Sequence, residues 1–74
     1  MSTKTHSVVT ERFAENLRRC MDIAGVDVAE LARRTDVPTK RVKGILGATI
    51  EVSMTELVLF AVALDVEPSA MLPR

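Results

Sequence analysis

The sequence predicts an all-α protein, one compact bundle of five short helices, and three observations carry that prediction. Apolar residues recur at helical spacing along the chain, as at Val9, Phe13, Leu17 and Met21, which is the period of an amphipathic helix and not of a strand. The 74 residues include no Trp or Tyr and only two Phe, so the core is left to Leu, Val, Ile, Ala and Met, the usual material of a small helical protein. Helix-start and helix-stop residues punctuate the periodic stretches at short intervals.

The first helix is expected from about Val8 to Ala24, with Ser7 as its cap and Gly25 ending it in a left-handed conformation. Residues 1–7, "MSTKTHS", are then a flexible polar arm, and residues 8–74 are the folded domain. The second helix runs from about Val28 to Thr35. Asp27 caps it, and Glu30 three residues on completes a capping-box-like pattern with Asp in place of Ser or Thr. Leu31 and Ala32 supply its inward side.

A Thr-Asp-Val-Pro step follows. Asp36 tolerates the unusual backbone of a tight turn, and Pro38 suits a turn or first helical position but no helix interior. The third helix therefore starts at Pro38 or Thr39 and ends near Leu46. Val42, Ile45 and Leu46 face inward, which leaves Thr39, Lys40, Lys43 and Gly44 outward. Residues 47–52 read as a loop. Ser53, with Glu56 three positions on, caps a fourth helix through Asp65, whose buried stripe is Leu57, Phe60, Ala61 and Leu64. Val66 plugs the next turn, and residues 67–72 read as a short fifth helix with Pro68 near its start and Met71 and Leu72 at least partly in the core.

Composition removes several function classes. One Cys, Cys20, makes no intramolecular disulfide and no cysteine-rich metal cluster, and a structural thiol is its plain reading. His6 stands in a polar stretch with no second His or Cys nearby, so no metal and no cofactor is expected. No glycine-rich phosphate loop and no assignable catalytic set is present, so the chain is read as no enzyme. No apolar run approaches a membrane span and "MSTKTHS" lacks a signal peptide's apolar segment. A cytoplasmic protein with no membrane partner is the expectation.

The formal net charge is zero, but it is polarised. Residues 1–50 carry nine Lys or Arg against six Asp or Glu, and residues 51–74 carry one against four. Arg33, Arg34, Lys40, Arg41 and Lys43 crowd into the stretch around the Thr-Asp-Val-Pro step, with Asp36 the only acid among them. Two short helices joined by a tight turn, with this charge on them, fit a helix-turn-helix unit. In such a unit the second helix enters the DNA major groove and its early exposed residues reach base edges.

The residues then carry a resemblance. "LRRCMDIAGV", "VAELARRTDVPTKRVKGIL" and "SMTELVLFAVALDVEPSAML" together resemble a Cro/C1-type (XRE-family) helix-turn-helix domain over residues 17–72. The closing "AVALDVEPSAML" is as informative as the middle piece. The chain departs from the family at Val28, where Gln is usual, at Asp36 and Ala48, where Gly is usual, at Pro38, where Ser or Thr caps, and at Leu46, where Glu is frequent. With Pro38 there, Thr39 is the alternative cap.

The resemblance implies a lambda-repressor-like bundle and a sequence-specific transcriptional regulator, similar to a small phage or prophage Cro-like repressor. Its partner is a double-stranded DNA operator, bound as a homodimer that assembles on the DNA. No separate ligand or oligomerisation domain is expected. Carried over residue by residue, base contacts fall to Thr39, Lys40, Lys43 and Gly44, with Gly47 at the far end. Lys donates to guanine, and Thr offers a methyl or hydroxyl to a base edge. Phosphate contacts fall to the amides of Val28 and Ala29 at a helix N-terminus, and to Arg33, Arg34, Arg41 and Thr49. Lys4 is available should the arm follow the DNA. The alternative is a protein-binding module on the same scaffold, antitoxin-like, with the acidic stretch from Glu51 to Glu67 as its partner face.

Overall fold

The computed structural model describes the backbone of residues 2–72 and the side chains of residues 10–72. Four α-helices follow in order, α1 (Ser2–Ala24), α2 (Val28–Thr35), α3 (Thr39–Leu46) and α4 (Met54–Leu64), and a 3-10 turn (Pro68–Met71) closes the described chain. Among the described residues, no helix is long and apolar enough to cross a membrane.

One core holds the helices together. Phe13, Leu17 and Met21 of α1, Leu31 of α2, Val42 and Ile45 of α3, and Leu57, Phe60, Ala61 and Leu64 of α4 are all buried. These are the inward positions that the helical period assigns. α2, α3 and α4 are each too short to persist alone in water, so this shared core supplies the stability that propensity does not. Val26 and Val37 are buried in the two turns that flank α2.

Local chemistry sets the boundaries. Gly25 ends α1 with a φ of 70°, a conformation that glycine adopts without a Cβ clash. Asp27 accepts the Glu30 amide hydrogen bond at 2.8 Å. Ser53 and Glu56 make a complete capping box at the start of α4, with Glu56 N donating to Ser53 Oγ at 3.1 Å and Ser53 N donating to Glu56 Oε1 at 2.9 Å. Asp36 and Asp65 end α2 and α4 in left-handed conformations.

Two boundaries differ from those expected. α1 is helical from Ser2 and not from Val8, because residues 2–7 hold no Pro or Gly to stop a helix that Phe13, Leu17 and Met21 anchor downstream. The side chains of Lys4, His6, Ser7 and Val9 lie outside the described part, as do Met1, Pro73 and Arg74. The fifth helix is a 3-10 turn of four residues. Pro68 starts it, and Leu72 N already bonds back to Ser69 O at 3.3 Å, leaving no length for an α-helix. Met71 is fully buried there and Leu72 is not. Asn16 on α1 fastens this turn by donating to the Met71 carbonyl oxygen at 3.2 Å.

Candidate nucleic-acid interface

The step between α2 and α3 is built from four consecutive side chains. Thr35 is buried at the end of α2. Its hydroxyl donates to Leu31 O at 2.8 Å and accepts from Val37 N at 3.3 Å. Asp36 turns the chain at a φ of 61°, Val37 drops into the core, and Pro38 starts α3. Pro38 takes the cap position with extended backbone (φ −57°, ψ 141°), and its carbonyl accepts from Arg41 N and Val42 N, both at 3.0 Å. The sequence expectation that Thr39 caps is therefore corrected: Thr39 is already helical, and its side chain is exposed.

Thr39, Lys40 and Lys43 share the outer side of α3. All three are exposed, and among the described residues neither lysine forms an ion pair or a side-chain hydrogen bond. Beside them a shallow groove of about 380 Å³ runs between α2 and the start of α3, with Ala29, Arg33, Asp36 and Thr39 in its lining. The structure thus brings three of the four expected base-facing residues, Thr39, Lys40 and Lys43, and part of the expected phosphate-facing set onto one surface.

Other expected site residues have different employment. Gly44 is half-covered, and a Cβ there would stand 2.3 Å from Ile50 Cδ1. The close approach that this glycine permits is to the chain's own loop. Thr49 donates its hydroxyl to Gly44 O at 3.1 Å, and its amide reaches the same oxygen at 2.9 Å, so it closes the end of α3. The next loop residue back, Ala48, has a φ of 61°. Arg18 on α1 completes this end by donating to Leu46 O at 2.7 Å.

The arginines divide. Arg33 and Arg34 both donate to Glu30 Oε2, at 2.6 and 2.7 Å. These two donors, Arg33 first, hold the Glu30 carboxyl below its usual range, and Glu30 in turn raises the pKa of Arg33. Arg33 is 73% exposed, and an exposed pair of this kind costs little to open. Arg34 is bound on a second side, donating to Ala63 O on α4 at 3.1 Å, so it bridges two helices.

Arg41 is turned inward. Its Nε and Nη2 donate to the two carboxylate oxygens of Glu56, Nη2 at 2.9 Å, and Nη2 also reaches Glu51 O at 3.2 Å. Glu56 is 12% exposed. The Arg41 fork is the main reason its pKa falls to about 2; burial opposes that fall, and hydrogen bonds from Ser53 assist it. At the start of α2, Val28 is half-buried and Ala29 exposed. Their amides are among the helix's unpaired first donors, although the Asp27 carboxylate occupies the same end.

The fold has a solved counterpart. It is similar to the restriction-modification controller protein C.AhdI from Aeromonas hydrophila, with a TM-score of 0.80 and 26% sequence identity over 84% of this chain and 94% of that one. No protein-family model matches the chain, and a comparison with curated proteins gives no match either.

Two participants escaped the sequence reading. Glu56 was visible only as half of a capping box, because its partner lies 15 residues away on another helix. Ile50 was visible only as a loop residue, and the signal for its role is the glycine on α3 against which it packs.

Proposed function

We propose that this chain is a sequence-specific double-stranded DNA-binding transcriptional regulator that acts at an operator through α3. The observation that carries this reading is the outer side of α3, where Thr39, Lys40 and Lys43 stand exposed and uncommitted at the front of a helix-turn-helix. Lys40 and Lys43 read base edges, and Thr39 contributes a methyl or hydroxyl contact. Arg33 and the amides of Val28 and Ala29 take phosphates, which set register and salt dependence. Gly44, Arg34 and Thr49 serve the scaffold first. The likeness to a restriction-modification controller supports regulation over catalysis.

The sequence resemblance points to a Cro-like repressor of phage or prophage origin, and the structural likeness points to control of a restriction-modification system. Both use the same reading surface, so the operator sequence separates them. Binding as a homodimer on two half-sites roughly 34 Å apart follows from the geometry of helix-turn-helix recognition. An exposed apolar side of α4, with Met54, Val58, Leu59 and Val62, supports a self-complementary contact between two copies. The antitoxin-like alternative loses ground, because Glu56 of its acidic partner face is turned inward onto Arg41.

Fluorescence anisotropy with the duplex upstream of the protein's own gene and a scrambled duplex, near physiological salt, tests this reading. A preference of about a thousandfold for the upstream duplex is expected. Weak and equal binding to both would reduce the surface to electrostatic attachment and overturn sequence-specific regulation at this site.

A further inference from the structure

Arg41 lies on α3 between the two lysines, yet it spends its charge on α4. Both oxygens of the Glu56 carboxylate accept from its fork, and the same carboxylate accepts from Ser53 N at 2.9 Å. One half-buried carboxylate thereby joins α3, the loop and the first turn of α4. The backbone of α3 packs against α1 and α2 and not against α4. Among the described residues, Arg41 and Glu56 form the side-chain polar link between those two helices.

We propose that Arg41 and Glu56 are a positioning pair that sets the rotation of α3 about its own axis, and so decides where Lys40 and Lys43 point. A planar fork on a carboxylate tolerates one relative orientation, which a lysine ammonium would not impose. A rotation of about 20° swings a side-chain tip ~6 Å from the helix axis by about 2 Å, enough to lose a hydrogen bond to a base edge. Arg41 then acts on sequence preference without touching DNA, which replaces the phosphate contact that the sequence suggests. The inference rests on the reading of α3 as the base-reading helix.

Arg41→Lys, Glu56→Gln and the reciprocal Arg41→Glu/Glu56→Arg double variant test it. Affinity for the upstream duplex and for the scrambled duplex is measured against salt, and amide NMR spectra of α3 are recorded on the free proteins. Both single variants are expected to lose tenfold or more of the preference, with binding to the scrambled duplex and its salt slope little changed, and to shift the amides of Lys40 and Lys43. The reciprocal variant is expected to recover preference.

A phosphate contact gives the opposite pattern. Arg41→Lys, which keeps the charge, then leaves preference intact, and Glu56→Gln strengthens binding to both duplexes by removing a negative charge. That pattern overturns the pair. If wild-type protein prefers neither duplex, the DNA reading fails by itself, and the free-protein spectra still decide: unmoved α3 amides in Glu56→Gln overturn the positioning role. Should Glu56→Gln lose its helical circular dichroism, the reciprocal variant decides, and a folded reciprocal variant without preference also overturns it.

Discussion

The outer sides of α3 and α4 are both exposed, and they differ in almost every chemical respect. α3 presents Thr39, Lys40 and Lys43 to solvent, whereas α4 presents Met54 and Val62 at 71% and 73% exposure, with Val58 and Leu59 beside them. The one acid of α4, Glu56, is folded back onto Arg41. One surface therefore suits a polyanion and the other suits an apolar counterpart. A helix with apolar residues all round is ordinarily buried, so the outer side of α4 reads as a place for contact, and the lysines of α3 as a place for charge.

The contrast can be broken first at α3. Replacing Lys40 and Lys43 together by Ala is expected to weaken operator binding by about 2–6 kcal/mol, taking ~1–3 kcal/mol for each base-reading side chain. The melting temperature is expected to stay put, since both side chains are exposed and unpaired. Anisotropy titrations beside thermal circular dichroism check this, and equal affinity in the double variant would move base reading away from α3.

Val62→Glu sharpens the other half of the comparison. A charge in the middle of an apolar contact is expected to raise the dissociation constant of the proposed dimer by tenfold or more, in line with a loss of ~1.4 kcal/mol or above. Sedimentation equilibrium without DNA reads it out. Helical content is expected to be unchanged, because Val62 is largely exposed and lies outside the core. An unaltered association constant would leave the α4 side without a part in dimer formation.

The link between the two helices has its own pH signature. Glu56 has its folded-state pKa lowered to about 2 from the ordinary 4.5, so the folded state holds this proton less tightly than the unfolded chain. The stabilisation is therefore complete above about pH 5 and is lost as pH falls toward 2. Exposure of Arg41 to solvent screens the pair and keeps this contribution modest. Urea unfolding of wild type and Glu56→Gln is expected to show a gap in stability that closes across that window, and a gap independent of pH would detach it from this carboxylate.

The smallest expected effect is at the loop between them. Gly44→Ala in the wild-type background forces Ile50 to move, because the new methyl would overlap its side chain. In an Ile50→Ala background the same change is expected to stabilise by about 1 kcal/mol, the helix-propensity difference between the two residues. Denaturation of the four-member cycle measures the coupling, and additivity would mean that Ile50 has nothing to do with the glycine.

Most of the architecture could be read from local pattern, and most of the polar wiring could not. Leu17, Leu31, Val42 and Phe60 are core residues because helical spacing puts them on one side of each helix. Asp27, Gly25 and Ser53 mark helix ends through chemistry confined to a few neighbours. The 3-10 turn at Pro68 escaped because four residues carry too little period to distinguish it from an α-helix. Arg41 looked like its lysine neighbours because its partner is fixed by how α3 and α4 meet, and nothing within a helical turn reports that. The second partner of Arg34 is illegible for the same reason, since the Ala63 carbonyl that holds it lies on another helix.

Met71 has a consequence for how the chain comes to be folded. Its side chain is fully buried, and α1, made first, reaches across to hold its carbonyl through Asn16. During synthesis α2 and α3 emerge long before the residue that plugs the space beside α1 and α4. The core beside α1 and α4 is complete only once residue 71 is in place, so a chain stopped short of it lacks both a core side chain and the acceptor for Asn16.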